Sequence, residues 1–478
     1  MSAVIDYCLN SNKTSYLNRS LWEHSTSDLS YTEKASVPNL VRQWTQVLPY
    51  QQPADQSALS GQQVNFLLPQ SALLDDIILQ VNFTVVNSNN GVALSLERGL
   101  LLVDQIVIQG ERNILTINGE YIYSRVQTSA MNEKLRYLTG ACGWSSNNYQ
   151  QFPANTLAAG SAYNVFIPLF FGSFEKLSSA LDTNYCEKLK VIITFSNYPC
   201  LINDSGFTST LAYNNSTTAG NANTGPTCLW MNTHIYDSVS LGVIRSKNFG
   251  ANSALSMLYY DTWRETSVPS SSYTEYSLLN QMNFPVTRQF LLAKSTNGIY
   301  TVTADAPSGI LEPIGYRFLV NGSTFTPTVS LVNGITTFPK CIMNYFAKKG
   351  AYNDLCPPTA YANTTAGTWN FNTLIGNTAH SGQFTRTGPT TAMNFISGAD
   401  GAMTIEVPKL LDVQWCSDPL DRTYNSGGLS FSQLSQPVHY VTFASQISNQ
   451  YTMYCISEYW LVLSISSGTG QIIRSEQF

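Results

Sequence analysis

The sequence predicts an all-β protein built from two antiparallel sandwiches in tandem. The first observation is length, because 478 residues exceed the size at which one hydrophobic core keeps growing. The second is a period of two in both halves of the chain. In segments 77–85, 189–195 and 459–465, apolar residues alternate with other residues. That alternation is typical of strands with one face buried and one face solvated.

The strand pattern recurs along most of the chain, and we predict eight strands in each sandwich, long loop insertions and one short helix. In the first half it covers 64–68, 77–86, 100–108, 114–117, 163–171, 188–196 and 229–236. In the second half it begins at Glu275 and includes 289–294, 314–320, 327–332, 341–347, 403–407, 438–444 and 452–466. The helix is predicted over 172–187, where Phe174, Leu177, Leu181 and Tyr185 recur at helical spacing. The predicted core of the first sandwich comprises Phe66, Leu79, Val81, Phe83, Ile106, Ile108, Phe166, Val191 and Ile193.

Changes in composition divide the chain into an N-terminal arm (1–60), a first sandwich (61–240) and a second sandwich (241–478). The arm is polar and its charges cancel, so we do not expect it to be a basic tail that binds nucleic acid. Its apolar residues are too few for a core and need a partner surface: Leu40, Val41, Trp44, Val47 and Leu48. Two turn-rich stretches, 197–227 and 350–400, are predicted as long exposed loops.

Charge and hydropathy exclude several classes of protein. The net charge is −5, so no basic field would attract a phosphate backbone, and we expect no direct nucleic-acid binding. The sequence contains no run of 18 apolar residues, so no membrane span is predicted. Residues 1–6 lack the basic and then apolar layout of a secretory signal. Charged residues make up only 12% of the chain. Such a surface suits packing against neighbouring subunits.

Nine cysteines are scattered without a C-x-x-C pair, and an odd number cannot all form internal disulfides. We interpret most of them as buried thiols in a reducing compartment. A Cys200–Cys228 disulfide flanking a loop stays open as an alternative.

Residue types and spacing predict no catalytic, cofactor or metal site. The four histidines show no H-x-H or H-x-x-x-H spacing: His24, His234, His380 and His439. There is no G-x-S-x-G sequence and no Walker motif. Four acidic residues stand beside a tyrosine and are the candidates for a glycoside hydrolase: Glu120, Asp237, Glu275 and Glu458. On strands, such carboxylates are more often solvated or paired surface groups than catalysts.

Several segments, in order, resemble the double jelly-roll major capsid proteins, the group of adenovirus hexon and of large and membrane-containing icosahedral DNA viruses. In the first half these segments are 63–70 with 73–83, 104–110, 117–123, 133–137, 163–171, 187–195 and 229–237. In the second half they are 283–292 and 429–434. The segment 104–110 departs from the family in carrying Gln109–Gly110 where a glycine pair is usual.

The resemblance implies two eight-stranded jelly rolls and a structural role without enzymatic activity. Three copies would form a pseudo-hexameric capsomer that tiles the shell of an icosahedral virion. The implied partners are neighbouring capsomers, penton and minor capsid proteins, and an internal membrane is compatible with the family. The protein would be made in the host cytoplasm or nucleus.

Two other functions stay open from the sequence. One is a carbohydrate- or receptor-binding sandwich, in which loop aromatics stack on sugars: Tyr213, Tyr352, Tyr361 and Trp369. The other is the glycoside hydrolase that the acidic candidates would serve.

Overall fold

The fold is seen in a computed structural model that describes much of both halves of the chain. The described residues are 40–70, 73–86, 93–94, 102–129, 160, 162–169, 181–183, 186–197, 201–202, 210–215, 226–236, 255–267, 273–277, 284–295, 310–311, 313–330, 367–375, 378–386, 392–397, 401–406, 410–416, 427–443, 451–466 and 470–475.

The first sandwich is formed by strands between residues 40 and 236. They are β1 (Leu40–Val47), β2 (Gln63–Leu67), β3 (Leu73–Val86), β4 (Ala93–Leu94), β5 (Val103–Gln109), β6 (Asn113–Asn118), β7 (Ala162–Leu169), β8 (Leu181–Asp182), β9 (Lys190–Phe195), β10 (Leu201–Ile202), β11 (Thr210–Tyr213) and β12 (Cys228–Tyr236), with helix α1 (Gly119–Ser129) after β6. A six-stranded sheet centres on β3, which pairs with β12 and β11 and also with β7 and β8, while β1 lies beyond β12. A four-stranded sheet has the order β2-β9-β5-β6, and β4 pairs with β10.

The second sandwich is formed by strands between residues 255 and 475. They are β13 (Leu255–Ser267), β14 (Tyr273–Ser277), β15 (Pro285–Ser295), β16 (Ile310–Leu311), β17 (Pro313–Val320), β18 (Ser323–Ser330), β19 (Gly367–Ile375), β20 (Thr378–Arg386), β21 (Ala392–Ser397), β22 (Gly401–Glu406), β23 (Leu411–Gln414), β24 (Leu429–Ser430), β25 (Pro437–Phe443), β26 (Tyr451–Ile465) and β27 (Ile472–Ser475). A seven-stranded sheet is built around β26 and β15, and a four-stranded sheet has the order β14-β25-β17-β18. Strands β19 to β22 form a separate four-stranded meander.

All of the described strand pairs are antiparallel, which confirms the predicted fold class. The seven strands predicted in the first half correspond to β2, β3, β5, β6, β7, β9 and β12. The predicted boundary between the sandwiches, at residues 240 and 241, stays a prediction. Among the described residues, no helix has the length and apolar character needed to span a membrane.

The core of the first sandwich follows the predicted alternation, with one exception. Eight of the nine predicted core residues are buried, and Phe166 is half-buried. On β7, Val165, Ile167 and Leu169 belong to the hydrophobic core. Phe166 therefore points to the opposite face of the six-stranded sheet, because successive side chains of a strand alternate between faces.

Residues 40–60 differ from the prediction that the N-terminal arm extends to residue 60. Residues 40–47 form β1, which pairs with β12 over its whole length. Leu59 is buried in the core of the first sandwich, and its amide donates to the carbonyl of Leu211. Four residues of the predicted apolar patch therefore lie on an edge strand of the first sandwich: Leu40, Val41, Trp44 and Val47. Residues 1–39 lie outside the described part of the chain.

The helix is in a different place from the one predicted. Residues Leu181–Asp182 form the short strand β8, so a helix does not extend through them, and 170–180 lie outside the described residues. Helix α1 begins instead at Gly119, directly after β6. Residues 119–125 are all buried, so no polar face reveals a helical period.

The two stretches predicted as exposed loops contain strands. Within 197–227, Tyr213 ends β11 and is buried, with its hydroxyl donating to Gln52 Oε1 over 2.8 Å. Within 350–400, strands β19 to β21 form three strands of the meander. Cys228 is a free thiol on β12, so the Cys200–Cys228 disulfide is not formed.

Candidate functional site: the interface between the two sandwiches

Helix α1 sits where the two sandwiches meet, and Gly119 allows it to start there. A Cβ atom at Gly119 would lie 1.8 Å from the backbone carbonyl oxygen of Val103 on β5. Only glycine lets these two backbone segments approach so closely. The next two residues, Glu120 and Tyr121, both reach side chains of the second sandwich.

Glu120 forms the charged centre of this interface. One carboxylate oxygen binds Lys294 Nζ of β15, and the other lies 3.2 Å from Arg264 Nη1 of β13. Glu120 and Lys294 are almost fully buried, with 1% and 3% of their side chains exposed. Arg264 also lies 3.3 Å from Asp104 Oδ1, at the partly exposed end of the cluster.

The electrostatics of the cluster keep Glu120 ionised. Burial by itself would raise its pKa, but the charges of Lys294 and Arg264 bring the pKa below the ordinary value of 4.5. Burial would lower the pKa of Arg264, yet Glu120 and Asp104 raise it above its ordinary value. Opposite charges from two sandwiches thus stabilise one another in a place from which water is largely excluded.

A second contact joins α1 to β26 and β15 through Glu458. The hydroxyl of Tyr121 donates to Glu458 Oε2 over 2.5 Å, and both residues are buried. The Thr287 hydroxyl lies 3.1 Å from the Glu458 carbonyl oxygen and 3.4 Å from Glu458 Oε1. The Tyr121 ring also packs edge-on against Phe290, with centroids 6.0 Å apart. A buried carboxylate with these donors has its polar atoms satisfied within the protein.

The third contact joins the edge strands β6 and β13 of two different sheets. Strand β6 is the edge of a four-stranded sheet, and β13 is the edge of the seven-stranded sheet. The Thr116 amide donates to Asp261 Oδ1 over 3.2 Å, and the Thr262 hydroxyl donates to the Thr116 carbonyl over 2.9 Å. Tyr459 donates to the other Asp261 oxygen over 3.1 Å. Side chains of β13 therefore satisfy backbone groups that an open edge would leave exposed.

A fourth contact ties the C-terminal part of the chain to the first sandwich. The Glu187 amide donates to the Gly470 carbonyl over 2.8 Å, and the Ile472 amide donates to Glu187 Oε1 over 3.4 Å. Gln471 donates to Glu111 Oε2 over 3.0 Å. Strand β27 is thereby joined to the loop before β9 and to the turn before β6.

The second sandwich contains a buried ion pair of its own next to this interface. Arg288 and Asp412 are paired bidentately, with both nitrogen–oxygen distances at 2.7 Å, and both side chains are buried. The Arg288 guanidinium also lies 4.7 Å from the ring centroid of Phe290. This pair links β15 to β23 inside the seven-stranded sheet.

A chain of hydrogen bonds around His439 fixes its protonation state. Burial lowers the pKa of His439 to about 3, so the ring is neutral. Trp415 Nε1, which can only donate, lies 2.8 Å from Gln289 Oε1, and His439 Nε2 lies 3.1 Å from the same oxygen. His439 Nε2 must therefore carry the proton, and Nδ1 accepts from the Tyr316 hydroxyl over 3.0 Å.

The structure gives two of the four acidic candidates a structural partner. Glu120 and Glu458 are buried and bonded across the interface, so the expectation that such carboxylates are surface groups is wrong for both. Asp237 lies outside the described residues, and for Glu275 only the backbone, on β14, is described. Glu120 and Glu458 are therefore not offered to a substrate as a glycosidase pair would be.

The other candidate residues are distributed over several places. His234 and His380 lie on β12 and β20 with only their backbones described, and His24 lies outside the described residues. Within the described part of the chain, no cluster of three or more His, Cys, Asp or Glu could hold a metal ion. Of the four loop aromatics, Tyr213 is buried, and burial raises its pKa to about 12. Trp369 lies on β19 with only its backbone described, while Tyr352 and Tyr361 lie outside.

Comparison with known proteins finds similarity at the level of the fold. No protein-family model matches the sequence, and no curated protein matches it. VP54 of the virus PBCV-1 superposes with a TM-score of 0.56 at 13% identity, over 92% of this chain and 98% of that one. A chain of the Sputnik virophage gives 0.52 at 11%, over 94% of this chain and 91% of the other. The Faustovirus major capsid protein gives 0.51 at 10%, over 92% and 95%.

These superpositions extend over nearly the full length of both chains and include both sandwiches. The chain has the double jelly-roll fold. This confirms the fold that the resembling segments, taken in their order along the sequence, indicated. In this double jelly-roll protein, the interface around Glu120 joins the two rolls into one block. The sequence did not show that these residues meet, because they come from segments up to 360 positions apart, as for Glu111 and Gln471.

Proposed function

We propose that this double jelly-roll protein is a major capsid protein. Three copies form a capsomer with a nearly hexagonal outline, and the capsomers tile the shell of an icosahedral virion. The observation that carries the proposal is the match over both rolls to capsid proteins, including the Faustovirus major capsid protein. The buried contacts between the rolls support it, because a tile needs its two wedges held in one fixed orientation.

The low charge of the chain is consistent with extensive contacts between subunits. Only 12% of the residues are charged, and charged residues are depleted at the centres of interfaces. The proposal includes neighbouring capsomers, penton and minor capsid proteins as partners, and the virion shell as location. Synthesis in the host cell follows from the same proposal.

Two measurements on the purified full chain test this function. Light scattering at micromolar concentration should return the mass of a homotrimer. A trimer that is stable at this concentration is expected to bury an interface beyond about 2,000 Å². Negative-stain microscopy should show hexagonal blocks of uniform size. A monomer at that concentration, without blocks in the micrographs, would overturn the proposal.

A further inference from the structure

The sequence contains five Asn-Gly pairs, and the structure describes two of them. The asparagines of the five pairs are Asn90, Asn118, Asn297, Asn321 and Asn333. Asn118–Gly119 joins β6 to α1, and Asn321–Gly322 joins β17 to β18. An asparagine before glycine readily loses ammonia from its side chain, because the next backbone nitrogen reaches Cγ without hindrance from a Cβ atom. The two pairs therefore carry the same chemistry in different surroundings.

Asn321 and Gly322 are the two-residue loop of a β-hairpin. Val320, the last residue of β17, is paired with Ser323, the first residue of β18. The φ angles are 50° at Asn321 and 73° at Gly322. Two positive φ angles define a type I′ turn, for which Asn-Gly is a favoured sequence. The Asn321 amide donates to the carbonyl oxygen of Ser435 over 2.7 Å, which ties the turn to the segment before β25.

The tip of this hairpin is open to solvent. Residues 321–324 are all exposed. Apart from the chain neighbours of Gly322, no described residue has a heavy atom within 4 Å of the position that a Cβ atom would take there. Water therefore reaches the turn, and its backbone has space in which to rearrange. Exposed loop tips also open locally at a low cost in free energy.

The backbone of Asn118 and Gly119 is held in place instead. Asn118 is 4% exposed and is paired with Gln105 of β5. A Cβ atom at Gly119 would lie 1.8 Å from the carbonyl oxygen of Val103, so the surroundings leave Gly119 no room to rotate. The next residue, Glu120, is bound to Lys294 of the second roll. Rearrangement of this pair therefore requires that the interface between the rolls opens.

We propose that Asn321 is a site of spontaneous deamidation in the folded protein and that Asn118 is protected from it. The backbone nitrogen of Gly322 attacks Cγ of Asn321, the bond from Cγ to Nδ2 breaks, and ammonia leaves with the proton of the Gly322 amide. The product is a five-membered succinimide ring. Water then opens the ring. Cleavage between Cγ and the ring nitrogen gives aspartate, and cleavage between the main-chain carbonyl carbon and the ring nitrogen gives isoaspartate.

Both products change the tip of the hairpin. Each introduces a negative charge in place of a neutral side chain. Aspartate tolerates a positive φ angle, so the turn is retained. Isoaspartate adds a CH₂ group to the backbone of a two-residue loop and should disturb the pairing of Val320 with Ser323, because loop length fixes the register of a hairpin. These changes do not depend on whether the protein forms a capsid.

Peptide mass spectrometry of the full chain, sampled during incubation in mildly alkaline buffer, tests this site. In the folded protein, we expect Asn321 to convert at least about tenfold faster than Asn118, because the backbone around Asn118 is locked. In the same buffer with urea, the two rates should become similar, since both pairs then have an unrestrained backbone. Asn118 is thus an internal control for the Asn-Gly sequence.

The variant Gly322→Ala tests the attacking nitrogen. Its added methyl group should slow conversion at Asn321 and leave conversion at Asn118 unchanged. Measured in urea, this comparison holds even if the variant does not fold.

Three results would overturn the proposal. One is conversion of Asn321 that is no faster than that of Asn118 in the folded protein. Another is conversion of Asn321 that occurs only in urea or in neither condition. The third is a Gly322→Ala variant that converts at the rate of the parent in urea.

Discussion

Glu120 of the first roll and Lys294 of the second are ion-paired in a place where 1% and 3% of their side chains are exposed. Glu120 lies on helix α1 of the first roll and Lys294 on strand β15 of the second, so the pair exists only when both rolls are folded and docked. Removing one partner of such a pair leaves an uncompensated buried charge. The interface should therefore be sensitive to single substitutions that would be harmless on the surface.

Glu120→Gln should lower the free energy of unfolding by about 3–5 kcal/mol, because Lys294 stays buried without its carboxylate. Denaturant titration of the full chain measures this. Adding Lys294→Met should recover most of the loss, since an apolar side chain needs no partner there. The exposed Glu111→Gln is the control: it keeps an oxygen that accepts from Gln471 and should change stability by less than about 1 kcal/mol. A Glu120→Gln effect as small as that of the control would contradict the buried pair.

Tyr121→Phe should destabilise the protein by roughly 1–3 kcal/mol, because Glu458 loses a buried donor. Glu458→Gln keeps an acceptor for the tyrosine and should cost less. Since the two groups share one hydrogen bond, the double variant should cost clearly less than the sum of the single variants. Strict additivity in thermal unfolding would show that the hydrogen bond contributes nothing.

Gly119→Ala should lower the free energy of unfolding by an amount at the upper end of about 1–3 kcal/mol. The new methyl group would lie 1.8 Å from the carbonyl oxygen of Val103. To relieve this contact, α1 must move and carry Glu120 away from Lys294. The effects of Gly119→Ala and Glu120→Gln should therefore not add in a double variant. Full additivity in urea unfolding would mean that the helix start and the ion pair are independent.

Acid should destabilise the second roll through His439. Its pKa is about 3 in the folded chain against an ordinary value of 6.5, so between these pH values the unfolded chain binds a proton that the folded chain does not. The contribution of neutral His439 to the free energy of unfolding is complete above pH 6.5. It falls as the pH decreases and is smaller by about 2 kcal/mol at pH 5. The variant His439→Gln should be less stable at pH 7 but should lose less stability between pH 6.5 and pH 5. Equal pH slopes for parent and variant in urea titrations would refute this.

The sequence by itself determined the fold class and most of the first core. Alternation of apolar residues is a local property, and it located β3, β9 and β26 because one face of each strand must be buried. It did not reveal β13, whose run Leu255–Ser267 mixes tyrosine, tryptophan and charged residues without clean alternation. It also did not reveal α1, where residues 119–125 are all buried and show no polar face on which a helical period depends.

Only the tertiary structure decided which polar residues are buried and paired between the two rolls. In sequence Glu120 and Glu458 are carboxylates beside a tyrosine, and surface placement was the better expectation for both. Docking of the rolls buries them and supplies Lys294 and Tyr121 as partners from distant segments. The same applies to the first residues of β1, which are isolated apolar groups in the sequence and an edge strand once β12 lies beside them. Charge pairing and edge pairing depend on which surfaces meet, and local periodicity carries no information about that.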